Sequence, residues 1–234
     1  PPDIGNHTWA VLKAGVDADG LLDWSNEVQE MKGDNVGNGG LMRMAPVVLV
    51  APGDREAVAL LAADASRLTH AHADSREACV LWCEAIRLAV GGAAPAAPAE
   101  WVALVSAGLD LVDADRRGLW IDRIDEAAAL PPGAFHPNGW VVAAFQAALS
   151  AVLHTEVPAE GPERHLEAAM RAAVMIGNDT DTVAAIAGAL LGARWGAAAL
   201  PGEWLGLLHG IRRAGEPVVR TDELEALVRS SLGV

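Results

Sequence analysis

The chain has 234 residues, 52% of them hydrophobic and only 4% aromatic, and its formal net charge at pH 7 is −14. The length suits one large domain, and a surface this acidic repels phosphate backbones, which argues against a nucleic-acid partner. Charged and polar residues interrupt the apolar stretches before they reach the length of a transmembrane helix. The two cysteines do not form the framework of a secreted disulfide protein, so we expect a cytoplasmic protein.

The sequence pattern predicts helices along almost the whole chain and no run of strands. Asp74 and Glu77 resemble a capping box for a helix at 75–90, and the strongly apolar stretch 138–153 is expected to be a central, buried helix. No heptad pattern persists, so we expect a single-domain, orthogonal all-α bundle over residues 1–234. The predicted helices span 4–16, 54–68, 75–90, 101–112, 119–130, 138–153, 161–176, 182–195, 204–211 and 221–232.

The segment 177–182, between two apolar helices, concentrates polar side chains. It contains Asp179 and Asp181 together with Asn178, Thr180 and Thr182. Carboxylate and hydroxyl oxygens are typical ligands of hard cations such as Mg²⁺ or Mn²⁺. The alternative is a helix cap, in which Asp or Thr satisfies free backbone N–H groups. One Asp is enough for a cap, so the second carboxylate is what favours a metal site.

Two further segments are candidates for ligand binding. A glycine-rich turn at 37–40 exposes backbone N–H groups, which can bind a pyrophosphate or a ribose; the alternative is an ordinary turn that uses glycine for a positive φ. The segment 69–74 contains His70 and His72. A histidine here is suited to contacting a ligand or a metal, and the alternative is a helix cap with surface histidines.

The order of these segments resembles that of the ADP-ribosylglycohydrolase family, including the bacterial enzymes that reactivate dinitrogenase reductase. Its most specific parts are the glycine-rich segment ending in Met42-Arg43 and the segment 179–182, where Asp and Thr alternate. The resemblance implies an all-α fold with a binuclear magnesium, or manganese, site in a cleft. The shared series covers nearly the whole chain, through segments 2–6, 37–43, 69–70, 138–142, 178–182 and 187–189.

The resemblance also implies roles for individual residues. Asp179, Asp181 and Thr182 would be metal ligands, Asp179 would also be the catalytic carboxylate, and Asp34 is a second candidate acid. In the implied reaction the cations hold the ribose hydroxyls and polarise a water, which a carboxylate deprotonates. The water attacks the anomeric carbon and releases the N- or O-linked acceptor, so the expected partners are ADP-ribose and ADP-ribosylated proteins. The residues expected to line the ADP-ribose pocket are Asn38, Gly39, Gly40, Met42 and His70.

The chain departs from the family pattern near its start. The family carries a Thr-Asp-Asp-Thr motif and a Gly-Asp-Ala-Leu-Gly-like stretch before the region where this chain begins, and the chain contains neither. Because those motifs supply other metal ligands, we expect about half of a metal site here. Three explanations stay open: a fragment of a longer enzyme, a separate N-terminal chain that completes the site, or a relative that binds ADP-ribose or a partner protein without hydrolysis. A metal-dependent hydrolase of another phosphorylated small molecule is a further alternative.

Overall fold

Helices account for most of the chain in the computed structural model, which describes residues 4–33, 36–211, 213 and 215–233. The all-α fold class is confirmed. Short 3-10 turns connect several of the helices, and the described residues form one strand pair, His209–Gly210 with Val219–Arg220, which is antiparallel. The α-helices are α1 (Asn6–Leu12), α2 (Ala18–Lys32), α3 (Arg55–Arg67), α4 (Ala73–Val90), α5 (Pro98–Ser106), α6 (Arg117–Ala129), α7 (Val141–Leu153), α8 (Arg164–Met175), α9 (Thr180–Trp195), α10 (Gly202–Leu207) and α11 (Thr221–Leu232).

The apolar stretch predicted as a central helix is α7, and every residue of it is buried. Helices α4, α6, α8 and α9 pack around it, and the Trp82 and Trp120 rings meet Phe145 edge to face at 5.2 and 5.1 Å between centroids. The Trp82 indole donates a hydrogen bond to the carbonyl of Ile186, which joins α4 to α9. Burial of this mostly apolar helix contributes to the hydrophobic stabilisation of the bundle.

The N-terminal region differs from its prediction. The first helix ends at Leu12 instead of continuing to residue 16, because Gly15 has a positive φ of 65°. A second helix, α2, follows and was missed by the sequence pattern. Its N-cap is Asp17, whose carboxylate accepts from the N–H of Gly20 at 2.9 Å. Polar residues dominate α2, so it lacks the apolar periodicity that identifies a helix facing a core.

The predicted capping box at Asp74 and Glu77 is wrong. Helix α4 begins two residues earlier, with His72 as its N-cap. The Asp74 carboxylate accepts from Arg116 at 2.5 Å and from Arg123 at 2.8 Å, and Glu77 accepts from Arg116 and from the Trp120 indole. Both carboxylates are buried and take part in ion pairs between helices. Their role is therefore to join helices, and they do not cap α4.

The C-terminal region beyond α9 is mostly exposed. The helix predicted at 204–211 lies at Gly202–Leu207, and the strand pair begins at His209. Helix α11 has the bounds that were predicted. Across the described ranges, no helix has both the length and the hydrophobicity needed to cross a membrane.

Candidate functional site

A cavity of about 370 Å³ lies between the starts of α1 and α9 and the glycine-rich turn, and we call it the polar cavity. It brings together seven residues that the sequence analysis singled out: Asn38, Gly39, Met42, His70, Asp179, Asp181 and Thr182. The other lining residues are Gly5, Asn6, His7, Thr8, Lys32, Gly37 and Gly139. Asp34, the second candidate acid, lies outside the described residues.

One wall of the cavity is held together by the buried side chain of Asn138. Its Nδ2 donates to the carbonyl of Gly177 at 3.1 Å, and its Oδ1 accepts from the N–H of Asp179 at 2.9 Å. Its backbone carbonyl accepts from Asn38 Nδ2 at 2.9 Å. Because α7 and α9 begin at the same end of the bundle, one asparagine joins three segments that are far apart in sequence. We call the wall formed by 36–42, His70, 138–139 and 177–182 the clasped wall.

The carboxylates of the clasped wall are not used as helix caps. Asp179 is the N-cap residue of α9, but its side chain makes no capping hydrogen bond. Instead its Oδ2 accepts from Asn38 Nδ2 at 2.6 Å. Gly177 and Asn178 both have positive φ, 86° and 62°, a conformation that is unusual for a non-glycine residue. This sharp turn directs Asp179 into the cavity with one carboxylate oxygen left for another partner, and Asp181 is exposed there.

Arg43 shapes the glycine-rich turn from behind. Its guanidinium donates to the carbonyl of Gly39 at 2.9 Å, to that of Ala65 at 3.3 Å and to Thr69 Oγ1 at 2.5 Å. A guanidinium carries five N–H donors in a rigid fork, so one arginine can serve all three acceptors. The turn is further fixed by the N–H of Asn38, which donates to the carbonyl of Gly139 at 3.2 Å. These hydrogen bonds therefore hold the glycine-rich segment in place at the cavity.

His70 is a neutral, buried member of the clasped wall. Burial lowers its pKa to about 3, and the positive charges of Arg43 and Lys32 and the His7 ring act in the same direction. Its Nδ1 lies 2.8 Å from Thr69 Oγ1. The tautomer of the ring decides which of these two atoms is the donor, and Thr69 Oγ1 can accept from both Arg43 and Nδ1. A Cβ on Gly39 would lie 3.2 Å from Nε2, so the glycine gives this edge of the ring its space.

Two residues of the predicted site segments have structural roles. Gly40 does not line the cavity: a Cβ placed there would lie 2.9 Å from Ser75 Oγ and 3.2 Å from Ser66 Oγ, so the glycine allows close packing behind the wall. His72 is the N-cap of α4, and its ring accepts from the N–H of Asp74 at 3.1 Å. The capping interpretation of the segment 69–74 therefore applies to His72, whereas His70 lines the polar cavity and its contact with a ligand stays a prediction.

The sequence analysis did not identify the second wall of the cavity. Gly5, Asn6, His7 and Thr8 of the α1 region and Lys32 at the end of α2 form it, and we call it the α1–α2 wall. The resemblance series included Asn6 and the 138–142 segment but attached no role to them. His7 and Lys32 lie in no motif, and only the folded chain brings them to the cavity.

The acidic side of the cavity fits part of a divalent-cation site. Asp179, Asp181 and the Thr182 hydroxyl are hard oxygen donors, and the hydroxyl has only a weak partner, the sulfur of Met42 at 3.5 Å. Mg²⁺ accepts few protein ligands and fills its other positions with water and substrate oxygens. Within the described ranges, no three His, Cys, Asp or Glu side chains form a metal-binding group. These donors can therefore supply some of the ligands of one cation, and they are too few for a complete two-cation site.

Comparisons with known proteins agree with one another. The model of the ADP-ribosylglycohydrolase family matches residues 1–233. A solved structure described as an ADP-ribosylglycohydrolase-related protein complex superposes with a TM-score of 0.70 at 27% sequence identity. The match covers 98% of this chain and 69% of that one. A search among curated proteins found no significant match.

Proposed function

The chain belongs to the ADP-ribosylglycohydrolase family, and on that premise we propose that it hydrolyses the N- or O-glycosidic bond between ADP-ribose and a modified protein or other acceptor. Its enzyme class is that of the glycosyl hydrolases of this family. The proposed cofactor is Mg²⁺ or Mn²⁺, the proposed partner is an ADP-ribosylated protein, and the proposed location is the cytoplasm.

One observation carries the proposal: Asp179 faces the polar cavity without capping its own helix. A carboxylate at a helix start normally accepts from free backbone N–H groups. Here Asn38 holds one carboxylate oxygen at 2.6 Å and leaves the other toward the cavity. A hydrogen-bonded, fixed carboxylate is suited to orienting a water and to taking its proton.

The surrounding residues supply binding and orientation. Asp179, Asp181 and Thr182 would hold the cation, which when bound polarises water and substrate hydroxyls. Asn38 fixes the rotamer of Asp179, and the neutral His70 ring, whose Nδ1 is paired with Thr69, offers Nε2 to the ligand. The glycine-rich turn, braced by Arg43, keeps backbone groups close to the ligand. Asp34 is proposed as a second acid on the resemblance alone.

The decisive experiment measures cation binding, ADP-ribose binding and hydrolysis with one protein preparation. We expect calorimetry to detect Mg²⁺ or Mn²⁺ binding that ADP-ribose strengthens, and release of ADP-ribose from a panel of modified protein substrates. Asp179→Asn should lower hydrolysis at least about 100-fold, the usual effect of removing a general base. Asp222→Asn, the same change on the exposed helix α11, is the control and should retain full activity. Other phosphorylated small molecules in the panel test the broader hydrolase alternative.

A second candidate is a binding module without hydrolytic activity. It is favoured by the small number of metal-ligating side chains that the described residues bring together. In that case ADP-ribose binds to the purified chain, hydrolysis is absent at all Mg²⁺ and Mn²⁺ concentrations, and Asp181→Asn leaves ADP-ribose affinity unchanged.

A further inference from the structure

Helix α11 is amphipathic, but the rest of the described chain does not bury its apolar face. Leu224, Leu227, Val228 and Leu232 are spaced i, i+3, i+4 and i+8, which places them on one face of the helix. Their exposed fractions are 39 to 44%, and none of the residues of α11 is buried. A surface helix of a domain normally turns such an apolar stripe toward the core. The stripe of α11 therefore lacks the cover that its pattern calls for.

The contacts of α11 within its own chain are limited. At its start, Thr221 Oγ1 donates to the carbonyl of Leu205 at 2.8 Å. The helix also contacts the 3-10 turn Ala45–Val50, whose last residue is itself 70% exposed. A helix of about 12 residues is only marginally stable in water by itself, and most helices in proteins are stabilised by packing of their apolar face. A second surface against this stripe would therefore stabilise α11.

The apolar surface continues into the strand pair that precedes α11. Four more large apolar side chains flank these strands, with exposed fractions of 41 to 75%, and the second strand leads directly into the helix. We call the eight residues the α11 face. Eight half-exposed apolar side chains offer roughly 500 Å² per copy, so two copies would bury roughly 1,000 Å², which reaches the size of a specific interface. The α11 face consists of Leu207, Leu208, Ile211, Val218, Leu224, Leu227, Val228 and Leu232.

The charges beside the stripe suit a second, antiparallel copy of the same helix. Glu225 and Arg229 lie on one flank of α11 and form an ion pair at 2.8 Å, with side chains that are 59 and 63% exposed. A two-fold axis across the helix places the first half of each α11 against the second half of the other, and the same patch serves both copies. Glu225 of each copy then lies beside Arg229 of the other. Two equivalent ion pairs would flank the apolar stripe.

The overall charge of the chain does not prevent this contact. A net charge of −14 repels a second copy at long range. At physiological ionic strength, screening confines the interaction of exposed charges to about 8 Å. The residues at the contact itself therefore decide whether two copies associate.

We propose that two copies of this chain associate through the α11 face, with their α11 helices antiparallel. Leu224, Leu227 and Val228 of each copy pack on the same residues of the other, and the pairs between Glu225 and Arg229 fix the orientation. No residue of the α11 face lines the polar cavity, so the association leaves the cavity of each copy open.

Sedimentation equilibrium through the micromolar range tests this association. The mass of the wild type should rise with concentration from the 24.3 kDa of one chain toward twice that value. Leu227→Asp places a charge in the stripe of both copies, so its dissociation constant should be at least about 100-fold higher. Leu60→Asp is the matched control, because Leu60 is 63% exposed on α3, outside the α11 face. It should dimerise like the wild type.

Mixing two charge variants tests the antiparallel arrangement. Arg229→Glu and Glu225→Arg each bring like charges together across the two-fold axis, and each should weaken self-association about tenfold. An equimolar mixture of the two should associate like the wild type, because each variant then meets the opposite charge on the other. If Glu225 and Arg229 act only within their own helix, the mixture stays as weak as either variant, since both lack the internal pair.

The proposal is overturned if the wild type stays at 24.3 kDa throughout, which would leave the α11 face to a partner of different sequence. It is also overturned if Leu227→Asp dimerises like the wild type, or if the mixture of charge variants does not recover association. Thermal unfolding of Leu227→Asp should resemble that of Leu60→Asp at low concentration, which separates loss of association from loss of folding. The inference does not depend on the proposed hydrolysis, because dimer formation is measured without substrate.

Discussion

The two walls of the polar cavity are built in different ways. The clasped wall is joined by hydrogen bonds between segments about 100 and 141 positions apart in sequence, from Asn38 to Asn138 and to Asp179. The α1–α2 wall contacts it through the stacked rings of His7 and His70. The side-chain hydrogen bonds of α2 lie within segment 4–33, from Trp24 to Ala10 and from Gln29 to Gly33, and the Thr69 backbone lies close enough to His7 to counteract part of the lowering of its pKa by burial. The contrast indicates that the clasped wall sets the geometry of the site, whereas the α1–α2 wall can adjust to the ligand.

Removal of the Asn138 side chain should have the largest effect on stability, because this side chain holds the clasped wall together. Asn138→Ala leaves the Gly177 carbonyl and the Asp179 N–H without partners in a buried place, and each unpaired group costs about 1–3 kcal/mol. We expect the free energy of unfolding to fall by about 3 kcal/mol, measured by urea denaturation, with loss of ADP-ribose binding. Asn6→Ala, on the exposed part of the α1–α2 wall, is the matched control and should change stability by less than about 0.5 kcal/mol. A cost below about 1 kcal/mol for Asn138→Ala would mean that the clasp does not hold the wall.

The pH dependence of stability should show the next largest effect. His70 has a pKa of about 3 in the folded protein, against an ordinary histidine value of 6.5. The unfolded chain therefore binds a proton below pH 6.5 that the folded protein does not, so stability is retained above pH 6.5 and lost as the pH falls toward 3. At about 1.4 kcal/mol per pH unit, the loss from His70 between pH 6.5 and 5 is about 2 kcal/mol.

Substitution of His70 isolates its share of this acid sensitivity. His70→Gln removes the titrating group, so its urea midpoints should fall less steeply between pH 6.5 and 5 than those of the wild type. His209→Gln changes an exposed histidine and should follow the wild-type curve. Parallel curves for wild type and His70→Gln would show that the buried ring does not resist protonation, and that the clasped wall tolerates a charge at this position.

The same contrast explains which parts of the molecule could be predicted from the sequence. Helix α7 was predictable because a strongly apolar stretch has to be buried, and segments 37–43 and 179–182 carry recognisable patterns of residue types. Helix α2 was missed because its polar sequence gives a weak periodic signal. The role of Asn138 depends on three segments meeting at one end of the bundle, which no local pattern encodes. His7 and Lys32 belong to the wall without motifs, so only their position in the fold brings them to the site.

Alanine substitutions at two neighbouring glycines test the difference between the two walls and have the smallest expected effects. Neither Gly39 nor Gly40 has a positive φ, so alanine fits the backbone at both positions and the effect comes from contacts. A Cβ on Gly40 would meet Ser75 Oγ at 2.9 Å, behind the clasped wall. A Cβ on Gly39 would lie 3.1 Å from His70 Cε1 and 3.2 Å from Thr8 Oγ1 of the α1–α2 wall.

We expect Gly40→Ala to destabilise the protein by about 2 kcal/mol, since overpacking of a fixed region costs about 1–3 kcal/mol. Gly39→Ala should cost less than about 1 kcal/mol because α1 can move away, and the narrowed cavity should lower ADP-ribose affinity about tenfold, equivalent to about 1.4 kcal/mol. Thermal unfolding and calorimetry measure the two effects. Equal destabilisation by both alanines would contradict the contrast, because it would mean that the α1–α2 wall is held as firmly as the clasped one.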